Sequence, residues 1–207
     1  MTLLGQSVHS FLAAVRNSNP TPGGGSAAAL TGATGASLLA MVAGLPKSRA
    51  ATVEDAERLK AAGERCTVLA ADLEALVERD SQAYDLVLAA YKRPKDTEHE
   101  KASRSAAIQM AFRAAIDAPL GVMRACAAAV EQGVVVATLG LASASSDVMV
   151  GIELLGAALR GAKLNVETNL ESVKDAEYLT RVRADVEEFT RAIDHETAAA
   201  TAALKRS

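Results

Sequence analysis

The chain contains no tryptophan, and aromatic residues make up only 3% of its 207 positions. Its core must therefore be assembled from Ala, Leu, Val and some Ile and Met, a composition that suits closely packed helices. No concentrated run of Lys and Arg occurs, and a formal charge of -3 with a pI near 5.7 argues against a general nucleic-acid surface, which needs clustered cations. Two cysteines are present, Cys66 and Cys126. Neither has a CxxC partner and both fall inside helical patterning, so they read as small buried hydrophobes of a reducing compartment. His9, His99 and His195 stand far apart, in none of the spacings that ligate a metal, and no metal site is expected. The N-terminus lacks a basic segment followed by a short apolar core. The expected location is cytoplasmic.

Alternating strand patterns and internal repeats are also missing, which leaves helices. At this length one domain with a substantial core is sufficient, covering residues 1–207. Leu4, Val8, Phe11, Leu12 and Val15 form an amphipathic first helix that Asn17 to Pro22 ends. Ser26 to Leu45 is an uncharged run as long as a membrane span. It is rich in Gly, Ser, Thr and Ala and lacks flanking aromatic anchors, so a central helix buried by its neighbours is expected, with Ser26 as its N-cap. From Thr52 to Tyr91 the positions Ala56, Leu59, Gly63, Cys66, Ala70, Leu73, Val77, Asp80, Tyr84, Val87 and Tyr91 keep spacings of three and four, the seam of a long packed helix. Thr97 and Glu100 make a capping box for a fourth helix that runs to Asp117, and Pro119 separates it from a fifth. Ser146 or Asp147 caps a small-residue helix, Asn165 to Leu170 either continues it or extends briefly, and Asp175 caps the last. The expected fold is all-α, a single-domain bundle of long antiparallel helices.

Two features carry chemistry. Gly23, Gly24 and Gly25, after two prolines and ahead of Ser26, can turn bare backbone N–H groups toward an anion or polar ligand, helped by the positive end of the next helix; a tight inter-helix turn is the plainer alternative. The segment is neither a Rossmann fingerprint nor a P-loop. Asp80 is the only charged member of its seam. A carboxylate there must be paired, hydrogen-bonded or rolled toward solvent, and burial would raise its pKa toward the range useful for general acid–base work. Lys92, Arg93 and Lys95 close the same helix, either complementing its dipole or meeting a carboxylate-rich substrate.

The ordered blocks Pro20-Thr21-Pro22-Gly23-Gly24-Gly25-Ser26-Ala27-Ala28-Ala29, Arg79-Asp80-Ser81-Gln82-Ala83-Tyr84, Ala89 to Thr97, Ser146-Asp147 and Asn165 to Leu170 resemble the cyclodeaminase/cyclohydrolase family. That family includes the deaminase half of formiminotransferase-cyclodeaminase and stand-alone methenyltetrahydrofolate cyclohydrolases. The resemblance covers nearly the whole chain. It implies an all-helical, folate-binding homodimer with Asp80 as the catalytic carboxylate and Gly23, Gly24, Gly25 and Ser26 as substrate contacts. Asp147, Asn165 and Asn169 match polar family positions, and Lys95 becomes a candidate for the glutamate tail of folate. No cofactor is called for beyond the tetrahydrofolate substrate, and a separate formiminotransferase could hand that substrate over.

One position departs from the pattern: family members commonly carry an asparagine where this chain has Leu141, and leucine cannot hydrogen-bond a pterin or a water. The first reading is formiminotetrahydrofolate cyclodeaminase. Cyclohydrolysis of 5,10-methenyltetrahydrofolate is the alternative at the same site, and a catalytically silent folate binder or helical scaffold is the second alternative, favoured by Leu141.

Overall fold

The computed structural model describes residues 2–205. Among these, every regular element is helical: α1 (Val8–Arg16), α2 (Gly24–Ala43), α3 (Val53–Tyr91), α4 (Glu98–Leu139), α5 (Ser145–Leu170) and α6 (Ala176–Lys205), with one 3-10 turn at Ala142–Ala144 before α5. Short connections fold the long helices back on one another. α2 lies at the centre, packed on α3, α5 and part of α4, while α6 covers the outer side of α4.

Small residues let α2 occupy that position. Ala29, Ala33 and Ala36 are buried with Leu39 and Val42, and α2 crosses α5 with Gly35 and Gly151 in near contact. A Cβ on Gly35 would lie 2.6 Å from the Gly151 carbonyl, and one on Gly151 would lie 3.0 Å from the Gly35 carbonyl. By length and composition Gly24–Ala43, Glu98–Leu139 and Ala142–Leu170 could each cross a membrane; in this fold they bury their apolar residues against one another.

The ends of the helices follow ordinary capping chemistry. The side chains of Ser7, Thr52 and Thr97 accept hydrogen bonds from the first turns of α1, α3 and α4, and Thr97 with Glu100 forms the full capping box. Asp175 accepts from the Tyr178 N–H at the start of α6. Arg49 holds the far end of α4, where its guanidinium donates to the carbonyls of Gly140 and Ala137 and its own N–H to Leu139. No sequence pattern announces that cap, because Arg49 sits some ninety positions away in a connecting segment. Cys66 and Cys126 are buried as expected, and burial pushes both thiols up to about 12.

Several expectations are corrected. Ser26 is not the N-cap of α2; Gly23 is, and Ser26 lies inside the first turn. The helix predicted to stop before Pro119 continues, so α4 is one element of 42 residues containing the proline. Neither Ser146 nor Asp147 caps α5, which begins at Ser145 behind Ala144. Residues Asn165 to Leu170 complete α5. On α1 only Phe11 is buried, while Val8 and Leu12 remain 77% and 53% exposed.

Candidate active site

The α3 seam is buried from Leu59 to Val77 apart from half-buried Gly63, its predicted first member Ala56 is exposed, and it opens at Asp80. Beyond that point the same apolar stripe changes duty: Tyr84 and Val87 line a cleft instead of the core. The cleft, about 370 Å³ in volume, is bounded by Thr21 and the glycine turn, by Asp80, Tyr84 and Val87 of α3, by Phe112 and Ala115 of α4, and by Asn165 and Asn169 of α5. Blocks far apart in sequence thus meet at one place. Volumes of this order hold one ring system of a small-molecule ligand.

Asp80 is fixed by the start of α2. Its Oδ2 accepts the backbone N–H of Ser26 at 2.8 Å and the Ser26 hydroxyl at 3.0 Å. The anion at this helix N-terminus is therefore the chain's own carboxylate, in the place where the helix dipole favours negative charge. Gly25 has to be glycine for this arrangement, since a Cβ there would lie 2.0 Å from Oδ1 and 2.5 Å from Cγ of Asp80. Gly24 is different. A Cβ on it would meet nothing closer than Asn165 Nδ2 at 3.7 Å, so its bareness keeps that part of the cleft wall open.

Burial raises the Asp80 pKa above its ordinary value, against the opposing effect of the two Ser26 hydrogen bonds. Among the described residues Asp80 has no ion pair, so of the alternatives the sequence left open the carboxylate takes the hydrogen-bonded one. Among the same residues its Oδ1 has no hydrogen-bond partner. One oxygen is thus anchored and the other is available to a ligand.

Ser26 completes a small proton network. It is fully buried, and its single hydroxyl hydrogen has two acceptors, Asp80 Oδ2 and the Val77 carbonyl at 2.9 Å, with Ser81 Oγ at 3.2 Å as a further neighbour. With Asp80 ionised the hydroxyl donates to the carboxylate. With Asp80 protonated on Oδ2 it can accept from the acid and donate to Val77 instead. The same contacts serve both protonation states, as a residue cycling between acid and base requires.

The two asparagines have defined orientations. Asn165 Nδ2 donates to the Gly161 carbonyl at 2.9 Å, and Asn169 Nδ2 donates to the Ala115 carbonyl at 3.0 Å. Each amide nitrogen gives one of its two N–H donors to a carbonyl, which orients the side chain and leaves the second N–H and the Oδ1 acceptor for other partners.

Asp147 is not brought to this cleft. It lies at the opposite end of α5, roughly 27 Å from Asn165 at about 1.5 Å rise per residue. Leu141 is at that same far end, packed against the core, and does not line the Asp80 cleft. Lys95 lies outside the cleft but close to it, in a groove of about 500 Å³ shared with Tyr91, Lys101, Arg104, Gln109, Phe112 and Lys174. Phe112 lines both spaces and joins them.

Sequence reasoning missed Phe112, Ala115 and Lys174. Phe112 and Ala115 sit on α4 in a stretch whose periodicity spells only a packed helix, and Lys174 belongs to the α5–α6 connection. Gln109 ties that connection down by donating to the Ser172 carbonyl and accepting the Lys174 N–H.

The family model described as formiminotransferase-cyclodeaminase matches residues 7–188. A methenyltetrahydrofolate cyclohydrolase of Methylorubrum extorquens is 38% identical over 170 residues, 82% of each chain. A formimidoyltransferase-cyclodeaminase of Sus scrofa is 33% identical over 186 residues, which are 88% of this chain but only 34% of the pig protein. Among solved structures, a formiminotetrahydrofolate cyclodeaminase from Thermotoga maritima superposes with a TM-score of 0.86 at 24% identity, over 97% of this chain and 96% of that one, and so shares the fold. With its glycine turn, its Asp80 carboxylate and a match that spans most of its length, this chain belongs to the formiminotransferase-cyclodeaminase family.

Proposed function

We propose that this protein acts on the carbon bridging N5 and N10 of a tetrahydrofolate, with Asp80 moving the proton. The observation that carries this reading is Asp80 itself: one oxygen is held by Ser26, the other has no protein partner, and burial raises its pKa. Tyr84, Val87 and Phe112 supply apolar surface for the pterin and benzoyl rings, and the Oδ1 atoms of Asn165 and Asn169 supply acceptors. The groove beyond Phe112 suits the glutamate tail. Lys101 there is paired with Glu98, whereas Lys95, Lys174 and Arg104, whose guanidinium donates to the neutral Tyr91 carbonyl, keep their charge for carboxylates.

Of the two reactions, the relative of matching length that is 38% identical supports hydrolysis of 5,10-methenyltetrahydrofolate. Water adds to the methenyl carbon as Asp80 takes its proton. The C–N5 bond then breaks as Asp80 returns that proton to N5, and the carbinol proton leaves to give 10-formyltetrahydrofolate. The negative carboxylate also stabilises the cationic substrate. Cyclodeamination is the second reading, supported by the relatives named formimidoyltransferase-cyclodeaminase. In that reaction N10 attacks the formimino carbon, Asp80 relays the N10 proton to the departing nitrogen, and ammonia leaves.

Purified protein offered each substrate separately tests both. Accelerated loss of methenyl absorbance without ammonia establishes the cyclohydrolase. Growth of that absorbance from 5-formiminotetrahydrofolate together with ammonia establishes the cyclodeaminase. Rates equal to the protein-free control on both substrates overturn the proposal. The homodimer belongs to the same reading. Leu86 and Met110, 54% and 73% exposed beside an alanine-lined groove, offer an apolar face for a second copy, and sedimentation velocity reads the outcome.

A further inference from the structure

Pro119 lies inside a 42-residue helix that continues on both sides of it. Proline has no N–H, so the carbonyl four residues earlier, that of Ala115, loses its helical donor. Ala115 is half-buried on the cleft wall, and the partner its carbonyl takes in place of a helical N–H is Asn169 of α5, through Nδ2 at 3.0 Å. Ala115 and Asn169 both line the Asp80 cleft. The vacancy created by the proline therefore opens beside the site, and a side chain from a different helix fills it.

Asn165 gives the contrast. Its amide leans on the carbonyl of its own helix one turn back, an arrangement any helix permits. Asn169 reaches across to another helix, to the one oxygen of α4 at that level that a proline has freed. A purely structural requirement for helix continuity would be met better by alanine, which supplies the missing N–H. With its nitrogen held by Ala115, the Asn169 amide has one orientation, and its Oδ1 is an acceptor for a ligand N–H.

We propose that Pro119 is a positioning residue, which frees the Ala115 carbonyl to orient Asn169 so that its Oδ1 receives an N–H donor of the substrate ring. This rests on the folate reading for the identity of the ring, whose pterin edge carries such donors, but the Pro119–Asn169 coupling can be read without any ligand. In Pro119→Ala the new N–H takes the Ala115 oxygen along the helix axis and draws it from Asn169. Pro119→Val, closer to proline in volume, keeps a packing defect from imitating the effect.

The first readout is NMR of the Asn169 side-chain amide in labelled protein, identified by its absence in Asn169→Ala. The expected result is a protected amide proton in the wild type that exchanges at least tenfold faster in both Pro119 variants. Unchanged exchange overturns the proposal, whatever the enzyme acts on. The second readout is kinetic: Pro119→Ala raises KM roughly fivefold with kcat within twofold, and changes KM less than twofold when Asn169 is already alanine. Independent, multiplying effects overturn it. A wild type that turns over neither folate would remove the folate reading and leave the exchange measurement to decide the coupling.

Discussion

Gly25→Ala adds a single methyl group, and the structure specifies what it meets. The new Cβ would lie 2.0 Å from Asp80 Oδ1, 2.5 Å from Cγ and 2.8 Å from Oδ2. Ordinary contact begins near 3.4 Å, so Oδ1 must retreat by about 1.4 Å. The Gly25 backbone cannot yield instead, because it opens the buried central helix. A shift of that size breaks the 2.8 Å and 3.0 Å bonds to Ser26, each of the class worth about 1.5–3 kcal/mol. Part of that loss is offset, since Asp80 can swing into the open cleft and be solvated, and alanine improves the helix by about 1 kcal/mol. The net loss is then at most about 5 kcal/mol, so the fold should survive with Tm lowered by no more than about 20 °C, taking about 2–4 °C per kcal/mol for a chain of this size. Catalysis should not survive as well: a reacting group misplaced by about 1 Å loses on the order of 100-fold. The assay is kcat/KM on the substrate the protein turns over, alongside far-UV circular dichroism. Gly44→Ala is the control. Its Cβ would meet nothing closer than 3.6 Å and its φ is −87°, so activity should be unchanged. A Gly25→Ala enzyme within threefold of wild type would refute the placement of Asp80 against the glycine turn as the source of activity.

Asp80→Asn keeps an acceptor for both Ser26 donors but cannot exchange a proton, so turnover should fall at least ~100-fold with the fold intact; full activity would remove Asp80 from the mechanism. The same variant reads the pKa. An acid whose folded pKa is raised contributes stability below its unfolded pKa, and that contribution is lost as pH rises through the folded value. The Tm difference between Asp80→Asn and wild type should therefore move in favour of the variant on going from about pH 4 upward, and a flat difference would contradict the raised pKa. In hydrolysis, where the ionised form is the base, activity should fall as pH drops through a pKa above the ordinary carboxylate range. Lys95→Ala and Lys174→Ala should each flatten the dependence of KM on glutamate-tail length, and an unchanged dependence would place the tail elsewhere. Arg49→Ala strips the cap from α4 and should cost about 2–3 kcal/mol, a Tm drop of roughly 4–12 °C with kcat/KM unchanged; no Tm change would mean the Ala137 and Gly140 carbonyls find water at no cost.

The all-helical class, the extent of α3, the capping box at Thr97 and the candidacy of Asp80 are all legible in the sequence. Each depends on local spacing: apolar positions three and four apart, a threonine three residues before a glutamate, a lone acid in a hydrocarbon stripe. Local rules also misled. Pro119 reads as a helix end because the sequence displays its missing N–H but not the Asn169 amide that relieves the loss. Ser26 reads as a cap because a serine ahead of an apolar run suits that role, whereas the carboxylate that accepts its own N–H and hydroxyl stands 54 positions later. Asp147 is marked by the family resemblance and not by a local rule, and the length of α5 places it at the end of that helix away from the Asp80 cleft. Which residues share the cleft was decided only when α2, α3, α4 and α5 packed, because close approach at Gly25 and Gly35 depends on what stands opposite them. The chain alone determined that a carboxylate and bare backbone would be available; tertiary packing determined that they touch, which oxygen remains free and which neighbours raise its pKa.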